Sequence, residues 1–295
     1  MVHFLAENKT LVLLIALNVL LAVALSVLLY LVYPQFVYDL ESVSNAGDGY
    51  SVRTYTPHSG FLAYFEVLRG HRRIYSYSGE QQFIVKKLAT DVTGNGLLDL
   101  VVQQWDGSAH EGGRYLVLEI DNAVVHEIAI LDGLLYAKFE DLNKDGVVEV
   151  IGVDGSYDSL CGDSRLNSPR PRVVLLFDKT QAKFIPDKKS MSKPPFSSDR
   201  FRELSLEYKN DARWQKESRP PVGLFVAMFD LIYSGNEKQA WELFEAAWPD
   251  GSTVSKEEYR GDVKAELNRS PYYRALTDTG ILGTATIFGG GPDGE

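Results

Sequence analysis

The 295-residue chain is poor in the features that mark most enzymes and nucleic-acid-binding proteins. It has a single cysteine, Cys161, and therefore cannot form an intramolecular disulfide. It has no Gly-x-Ser-x-Gly, no Walker phosphate loop and no His-Glu-x-x-His. Its 30 Lys and Arg are outnumbered by 40 Asp and Glu, giving a formal net charge of −10. Nucleic-acid-binding surfaces are basic, so we predict a non-catalytic protein that does not bind nucleic acid.

One segment departs from this acidic balance. Residues 170–202 contain nine Lys and Arg and three Asp, so 9 − 3 gives a local charge of +6. A solvated linker explains this run, and so does a surface that meets anionic lipid headgroups or an acidic partner. The sequence leaves both interpretations open.

A long apolar run lies near the N-terminus. Residues 11–33 contain no charged side chain over 23 positions. A helix needs about 20 apolar residues to cross roughly 30 Å of hydrocarbon, so the run predicts a transmembrane helix. The alternatives are a cleaved signal peptide and a buried core helix. A signal-peptide core is shorter, about 7–15 residues, and ends in small residues, whereas this run ends in Leu31, Val32 and Tyr33.

Charges on either side of the run predict its orientation. Before it, Lys9 and the amino group face Glu7, and after it no basic residue occurs before Arg53. Positive residues stay on the cytoplasmic side, so residues 1–10 form a short cytoplasmic tail and the large domain lies in the periplasm or outside the cell. The acidic residues that follow the run are Asp39, Glu41 and Asp48.

The apolar run also carries a stripe of small and polar residues. Asn18, Ala22 and Ser26 recur every four positions, which places them on one face of a helix. Small residues and interhelical hydrogen bonds drive helix association in membranes. The stripe therefore predicts docking to a membrane-protein partner. The alternative is that Asn18 bonds its own backbone.

The middle of the chain contains an internal repeat. Residues 87–108 and 137–156 each contain an Asp/Asn/Gly-rich loop, then an apolar strand, then Asp-Gly-Ser. The first aspartates of the two loops, Asp91 and Asp141, lie 50 residues apart, a spacing typical of repeated supersecondary units. Each copy is followed by a predicted hairpin, at 115–130 and 173–185. Residues 61–77 resemble the hairpin half of a third unit.

The two loops have the spacing of oxygen ligands that a hard cation needs. Oxygen side chains occupy positions 1, 3, 5 and 9, and position 7 can offer its backbone carbonyl. Calcium takes about 6–8 oxygen ligands, so both loops are candidate Ca²⁺ sites, although an Asx-rich turn without metal is the alternative. The second loop has three carboxylates and the first has two, so we expect tighter binding at the second. The candidate ligands are Asp91, Thr93, Asn95, Leu97 and Asp99 in the first loop, and Asp141, Asn143, Asp145, Val147 and Glu149 in the second.

These loops resemble those of FG-GAP and VCBS-type repeats, which occur in β-propellers and related extracellular β-rich proteins. The resemblance covers roughly residues 60–186, and it implies four-stranded antiparallel units with structural calcium ions at strand junctions. The chain departs from the family in having two and a half units, against about 4–8 blades in a propeller. Residues 60–186 also lack the Phe-Gly dipeptide and the Gly-Ala-Pro tripeptide that name the family. We therefore expect an open β-sheet stack covered by other elements.

The C-terminal third changes to helical spacing. A helix is predicted over Val222–Tyr233, and Asn236 with Gln239 predicts a capping box for the next helix. Ser255 with Glu258 predicts another. The chain is thus predicted to be an α+β protein. Its segments are a tail (1–10), a transmembrane helix (11–33), a linker (34–59), a β-repeat domain (60–186), a helical annex (187–288) and a disordered tail (289–295).

Two functions remain open at this point. The first is a membrane-anchored extracytoplasmic binding or assembly module, a subunit of a membrane complex through its helix and ectodomain. The second is an extracytoplasmic hydrolase using the loop that holds Asp106, His110 and Glu111. The residues of catalytic triads come from distant parts of a chain. The clustering of these three side chains in one short loop is therefore weak evidence for a hydrolase and favours the first function.

Overall fold

The computed structural model describes residues 9–32, 38–58, 62–79, 82–105, 107, 113–157 and 168–277, with the backbone alone at 9–11 and 29–32. The chain divides into two compact units, residues 1–83 and 84–295. The described residues form helices and three antiparallel sheets of four strands each. This confirms the predicted α+β class.

The first unit begins with a long helix, α1, over Lys9–Val32. Its described aliphatic side chains are exposed, with Leu13 at 74% and Leu20 at 70%. A search of the described residues finds no helix that meets the length and hydropathy needed to span a membrane. The membrane crossing predicted for residues 11–33 therefore stays a prediction.

The sheet of the first unit is a four-stranded meander in the order β1-β2-β3-β4. Its strands are β1 (Tyr38–Gly47), β2 (Tyr50–Pro57), β3 (Ala63–Arg69) and β4 (Arg72–Gly79). The central strand β3 is buried on both faces. On one face, Phe65 packs edge-on against Phe83 with ring centroids 5.1 Å apart. On the other, Tyr64 stacks on Tyr55, and the Tyr55 hydroxyl donates to Glu66 at 2.7 Å.

The structure differs here from the sequence-based expectation. Residues 34–59 are predicted to be a linker, but β1 and β2 lie within them. The sequence of β1 lacks the apolar–polar alternation that predicts a strand, because β1 is an edge strand whose side chains are mostly exposed. The half unit predicted at 61–77 is therefore completed by the preceding hairpin.

The second unit contains two more sheets with the same antiparallel neighbour-to-neighbour connection. Their orders are β5-β6-β7-β8 and β12-β11-β10-β9. Both predicted hairpins are confirmed, as β7–β8 and β11–β12. The strands are β5 (Phe83–Thr90), β6 (Leu98–Trp105), β7 (Gly113–Asp121), β8 (Val124–Asp132), β9 (Leu134–Glu140), β10 (Glu149–Asp154), β11 (Arg172–Asp178) and β12 (Lys183–Pro186).

Helices follow the last strand and share its core. Val173 and Leu175 of β11 belong to the same apolar cluster as Phe225 and Phe229, so the helices bury the apolar side chains of this sheet. The helix over Val222–Tyr233 has the predicted bounds. The helices are α2 (Lys188–Met191), α3 (Ser198–Lys209), α4 (Arg213–Lys216), α5 (Val222–Tyr233), α6 (Glu237–Ala247), α7 (Lys256–Arg269) and α8 (Pro271–Thr277).

The two predicted capping boxes have different outcomes. Ser255 caps α7, because its hydroxyl accepts from the Glu258 amide at 3.3 Å. Asn236 precedes α6, but its side chain makes no capping bond. Instead it donates to the Lys193 carbonyl at 2.9 Å, and Gln239 bonds both backbone groups of Phe196. The capping box predicted for α6 is therefore wrong, because these side chains bind the segment before α3.

A β-bulge distorts the junction of β9 and β10. Tyr136 has φ of +55°, and the strand register shifts opposite Gly152. The Ala137 amide at the bulge donates to the Tyr115 hydroxyl of β7 at 3.2 Å. A side chain from the neighbouring sheet therefore satisfies a bulge amide in the buried core.

Candidate functional site

The two predicted metal loops occupy the same topological place. Residues 91–97 join β5 to β6, and residues 141–148 join β9 to β10. Each loop therefore connects the first two strands of its own four-stranded sheet. The sequence repeat is thus also a structural repeat in the second unit.

The first aspartate organises both loops in the same way. Asp91 accepts from the amides of Asn95 at 3.0 Å and Gly96 at 2.8 Å. Asp141 accepts from the amides of Asp145 at 3.1 Å and Gly146 at 2.9 Å. The two glycines have φ of +87° and +88°, in the region that disfavours other residues. Sequence spacing thus dictates a nearly identical turn in both copies.

The acidic residue at position 9 closes each loop from inside the sheet. One Asp99 oxygen accepts from the amides of Val92 at 2.7 Å and Thr93 at 2.8 Å. Glu149 accepts from the Leu142 amide at 2.9 Å and the Asn143 side chain at 3.2 Å. Both residues are buried. Each carboxylate therefore lies within the first two residues of a strand and holds the start of its loop.

The first loop retains buried oxygens that make no hydrogen bond. These are Asp99 Oδ1 and Thr93 Oγ1, on side chains that are each 1% exposed. Burial raises the pKa of Asp99 to about 6, although the Thr93 and Val92 amides and the nearby Thr93 side chain act in the opposite direction. An unpaired buried oxygen costs free energy. A bound cation would offset that cost, so the donor set of this loop fits a hard metal ion.

Two neighbouring elements support the first loop. Lys179, in the β11–β12 turn, donates to the Gly94 carbonyl, and Asn95 donates to Glu119 of β7. The first loop is therefore braced by a second strand of its own sheet and by the other sheet of the unit.

The acidic side chains of the loops do not converge closely. Across the described part of the chain, no group of three or more His, Cys, Asp or Glu is arranged to hold a metal ion. In the second loop, Asp141, Asp145 and Glu149 turn toward backbone amides. The Leu97 and Val147 amides at position 7 donate to the side chains at position 5. The calcium sites therefore remain predictions.

The predicted stripe on α1 lies on the described part of that helix. Asn18 donates to the Leu14 carbonyl and Ser26 donates to the Ala22 carbonyl, both at 2.8 Å. These bonds use the Ser26 hydroxyl hydrogen and one of the two Nδ2 hydrogens of Asn18 within the helix itself, which is the alternative that the sequence left open for Asn18.

The residues of the alternative catalytic loop, Asp106, His110 and Glu111, lie outside the described residues, as does Cys161. The equivalent motif of the second repeat begins at Asp154, which is 0% exposed. The sequence identifies this Asp-Gly-Ser only as a loop. The structure instead makes Asp154 the centre of a buried polar network.

Asp154 joins the sheet to the helices. Its carboxylate accepts from the Ser156 amide at 2.9 Å, from the Tyr233 hydroxyl at 2.5 Å and from the Ser270 hydroxyl. The Tyr157 hydroxyl lies 2.5 Å from the Tyr233 hydroxyl oxygen. Burial raises the pKa of Asp154, against the opposing effect of its hydroxyl donors. The network links β10 to the end of α5 and the start of α8.

Comparison with known proteins gives no family for this chain. A scan against known protein families finds no match, and a search of curated proteins finds no similar sequence. Function is therefore inferred from the residues and their geometry.

Proposed function

We propose that this protein is a non-catalytic, membrane-anchored extracytoplasmic binding or assembly module whose β-repeats are stabilised by calcium. The observation that carries the calcium assignment is the pair of matching loops. In each, a carboxylate at position 1 shapes the turn, and a buried carboxylate at position 9 lies within the first two residues of the next strand. In the family that the loops resemble, this arrangement is a structural calcium site.

The chemistry of the first loop adds support. Asp99 Oδ1 and Thr93 Oγ1 are buried oxygens without hydrogen bonds. Calcium prefers oxygen ligands, and backbone carbonyls and water can complete its shell. Such an ion would offset the desolvation of Asp99 and hold the β5–β6 connection rigid. It would have a structural role.

The anchoring part of the proposal depends on α1. The helix has 24 residues, and its described aliphatic side chains are exposed rather than packed. Exposed apolar surface of this extent is costly in water and favourable in lipid. We propose that α1 crosses a cell membrane once, with its N-terminus in the cytoplasm, and that it and the ectodomain bind a membrane-protein partner. The Asn18, Ala22 and Ser26 stripe is the proposed helix contact.

Calcium should raise the melting temperature of the full-length protein in detergent. Binding to the folded state alone adds about 2.7 kcal/mol when free calcium exceeds Kd a hundredfold. Extracellular modules bind at about 10⁻⁴–10⁻³ M, so the titration extends through millimolar calcium, with magnesium as the specificity control. A melting temperature indifferent to calcium and to chelator would show that the loops are metal-free turns.

A residue swap between the loops provides the matched control. Asp145→Asn keeps an acceptor for the Val147 amide but removes one charge, which makes the second loop resemble the first. It should reduce calcium affinity severalfold while leaving stability in chelator nearly unchanged. Asn95→Asp should strengthen calcium binding by the first loop, but in chelator it should destabilise that loop, because it replaces the amide that donates to Glu119 with a second carboxylate. If both variants and the wild type had the same calcium dependence, calcium would stabilise the protein through a site other than these loops.

A further inference from the structure

A group of basic residues lies at one end of the sheet formed by β9 to β12, where β11 begins and β12 ends. We call Arg172, Lys188, Lys189 and Lys193 the cationic ledge. A backbone hydrogen bond joins β11 to the residue that precedes α2: the Asp187 amide donates to the Val174 carbonyl at 2.8 Å. Arg172 Nη1 donates to the Ser190 carbonyl at 3.1 Å. Residues distant in sequence are thus fixed side by side.

The ledge is positively charged after its own acids are counted. Lys193 pairs with Asp230 at 2.5 Å, which neutralises both. Asp187 is committed to α2, where it accepts from the Lys189 and Ser190 amides. Within the described residues, Arg172, Lys188 and Lys189 have no ion pair, and all three are exposed. Even with Asp187 counted, the ledge carries excess positive charge on a chain of net charge −10.

A small surface pocket lies beside these residues. It is lined by Arg172, Met191, Lys193, Asp230, Tyr233 and Ser234. The bond to Ser190 uses one Nη1 hydrogen of Arg172 and orients the guanidinium at the rim. A planar guanidinium with free hydrogens binds phosphate oxygens in a fixed geometry, and lysines add point charges.

We propose that the cationic ledge binds a phosphate group, with Arg172 as the orienting contact and Lys188 and Lys189 as the supporting charges. The phosphate can come from a lipid headgroup or from a free phosphate compound. This inference does not depend on calcium binding or on which way α1 crosses the membrane. It gives the basic segment 170–202 a specific role.

The test uses the full-length protein in nanodiscs of neutral phosphatidylcholine. One arm measures co-sedimentation with vesicles containing phosphatidylglycerol, against vesicles of phosphatidylcholine alone. The other arm titrates inorganic phosphate and follows its ³¹P line width. Binding in either arm, weakened by salt, is expected, and the responding arm identifies the source.

Matched variants locate the site. Lys188→Gln with Lys189→Gln should weaken binding by about tenfold or more, since each surface cation contributes about 1 kcal/mol near an anionic membrane. Arg172→Gln should weaken it as well. Arg72→Gln with Arg73→Gln removes two adjacent exposed charges from β4 and should leave binding unchanged. Unaltered melting temperatures would show that the variants fold. Absence of binding in both arms, or an equal loss in the β4 control, would overturn the proposal.

Discussion

Asp154 shows how a single residue can serve the whole second unit. A buried carboxylate is costly unless it is hydrogen-bonded, and here one amide and two hydroxyls surround it. Each donor comes from a different part of the chain: the turn after β10, the end of α5 and the start of α8. The network therefore fixes the position of the helices on the sheet.

The raised pKa of Asp154 predicts a pH dependence of stability. The pKa of Asp154 is higher in the folded than in the unfolded state, so folding favours the protonated form of this carboxyl group. Its contribution is therefore fully present below about pH 4 and is lost as pH rises through the folded pKa. Asp154→Asn mimics the protonated carboxyl group. The stability of this variant relative to the wild type should therefore be higher at pH 7 than at pH 4. Melting temperatures across this range measure the difference.

Asp250 supplies the control of opposite sign. Lys209 hydrogen-bonds this exposed carboxylate and lowers its pKa. Its contribution is present above about pH 4 and is lost as pH falls through the folded pKa. Asp250→Asn should therefore produce a small effect in the reverse direction. If the stability of the two variants changed with pH in the same way, the pH dependence of the Asp154 variant could not be attributed to burial of Asp154.

At the scale of elements, the β9–β10 bulge depends on a glycine. A Cβ on Gly152 would lie 2.8 Å from Leu134 Cδ1 and 2.9 Å from the Leu135 carbonyl oxygen. Because a backbone oxygen cannot move like a flexible side chain, Gly152→Ala should destabilise the protein by about 1–3 kcal/mol. In a domain of this size, each kcal/mol lowers the melting temperature by about 2–4 °C.

Gly261 provides a matched glycine without such a neighbour. It lies inside α7, and no atom is within 4 Å of the position that a Cβ would occupy there. Gly261→Ala should stabilise the protein by about 0.5–1 kcal/mol, since alanine is the better helix former. Denaturant unfolding compares the two variants directly. Similar losses in both would mean that the crowding at the bulge is relieved by backbone movement.

At the scale of the whole molecule, the proposed anchor predicts a topology. Protease added to the outer face of intact cytoplasmic membranes should digest residues 40–295 and leave the first ten protected, because basic residues are retained in the cytoplasm. Immunoblotting with tags at the two ends reads the result. Digestion of the large domain only after the cytoplasmic face is exposed would reverse the orientation, and recovery in the soluble fraction would exclude an anchor.

Elements with strong local signals are predictable from the amino-acid sequence alone. The helix over 222–233 has a clear apolar period, and both hairpins have turn residues between β-branched runs. The loop turns are also local, since Asp91 and Asp141 bond amides only four and five residues away. Physical interactions of such short range can be inferred from spacing alone.

The long-range hydrogen-bond partners, in contrast, depend on how the chain packs. Asn236 and Gln239 fit a capping box, yet they bind a segment 43 residues earlier. Asp154 meets Ser270 across 116 positions, and Arg172 lies beside α2. No sequence period marks these contacts, because a polar side chain bonds to whichever donor the packed core brings within reach. The local turns were therefore predictable, while the buried network and the cationic ledge required the fold.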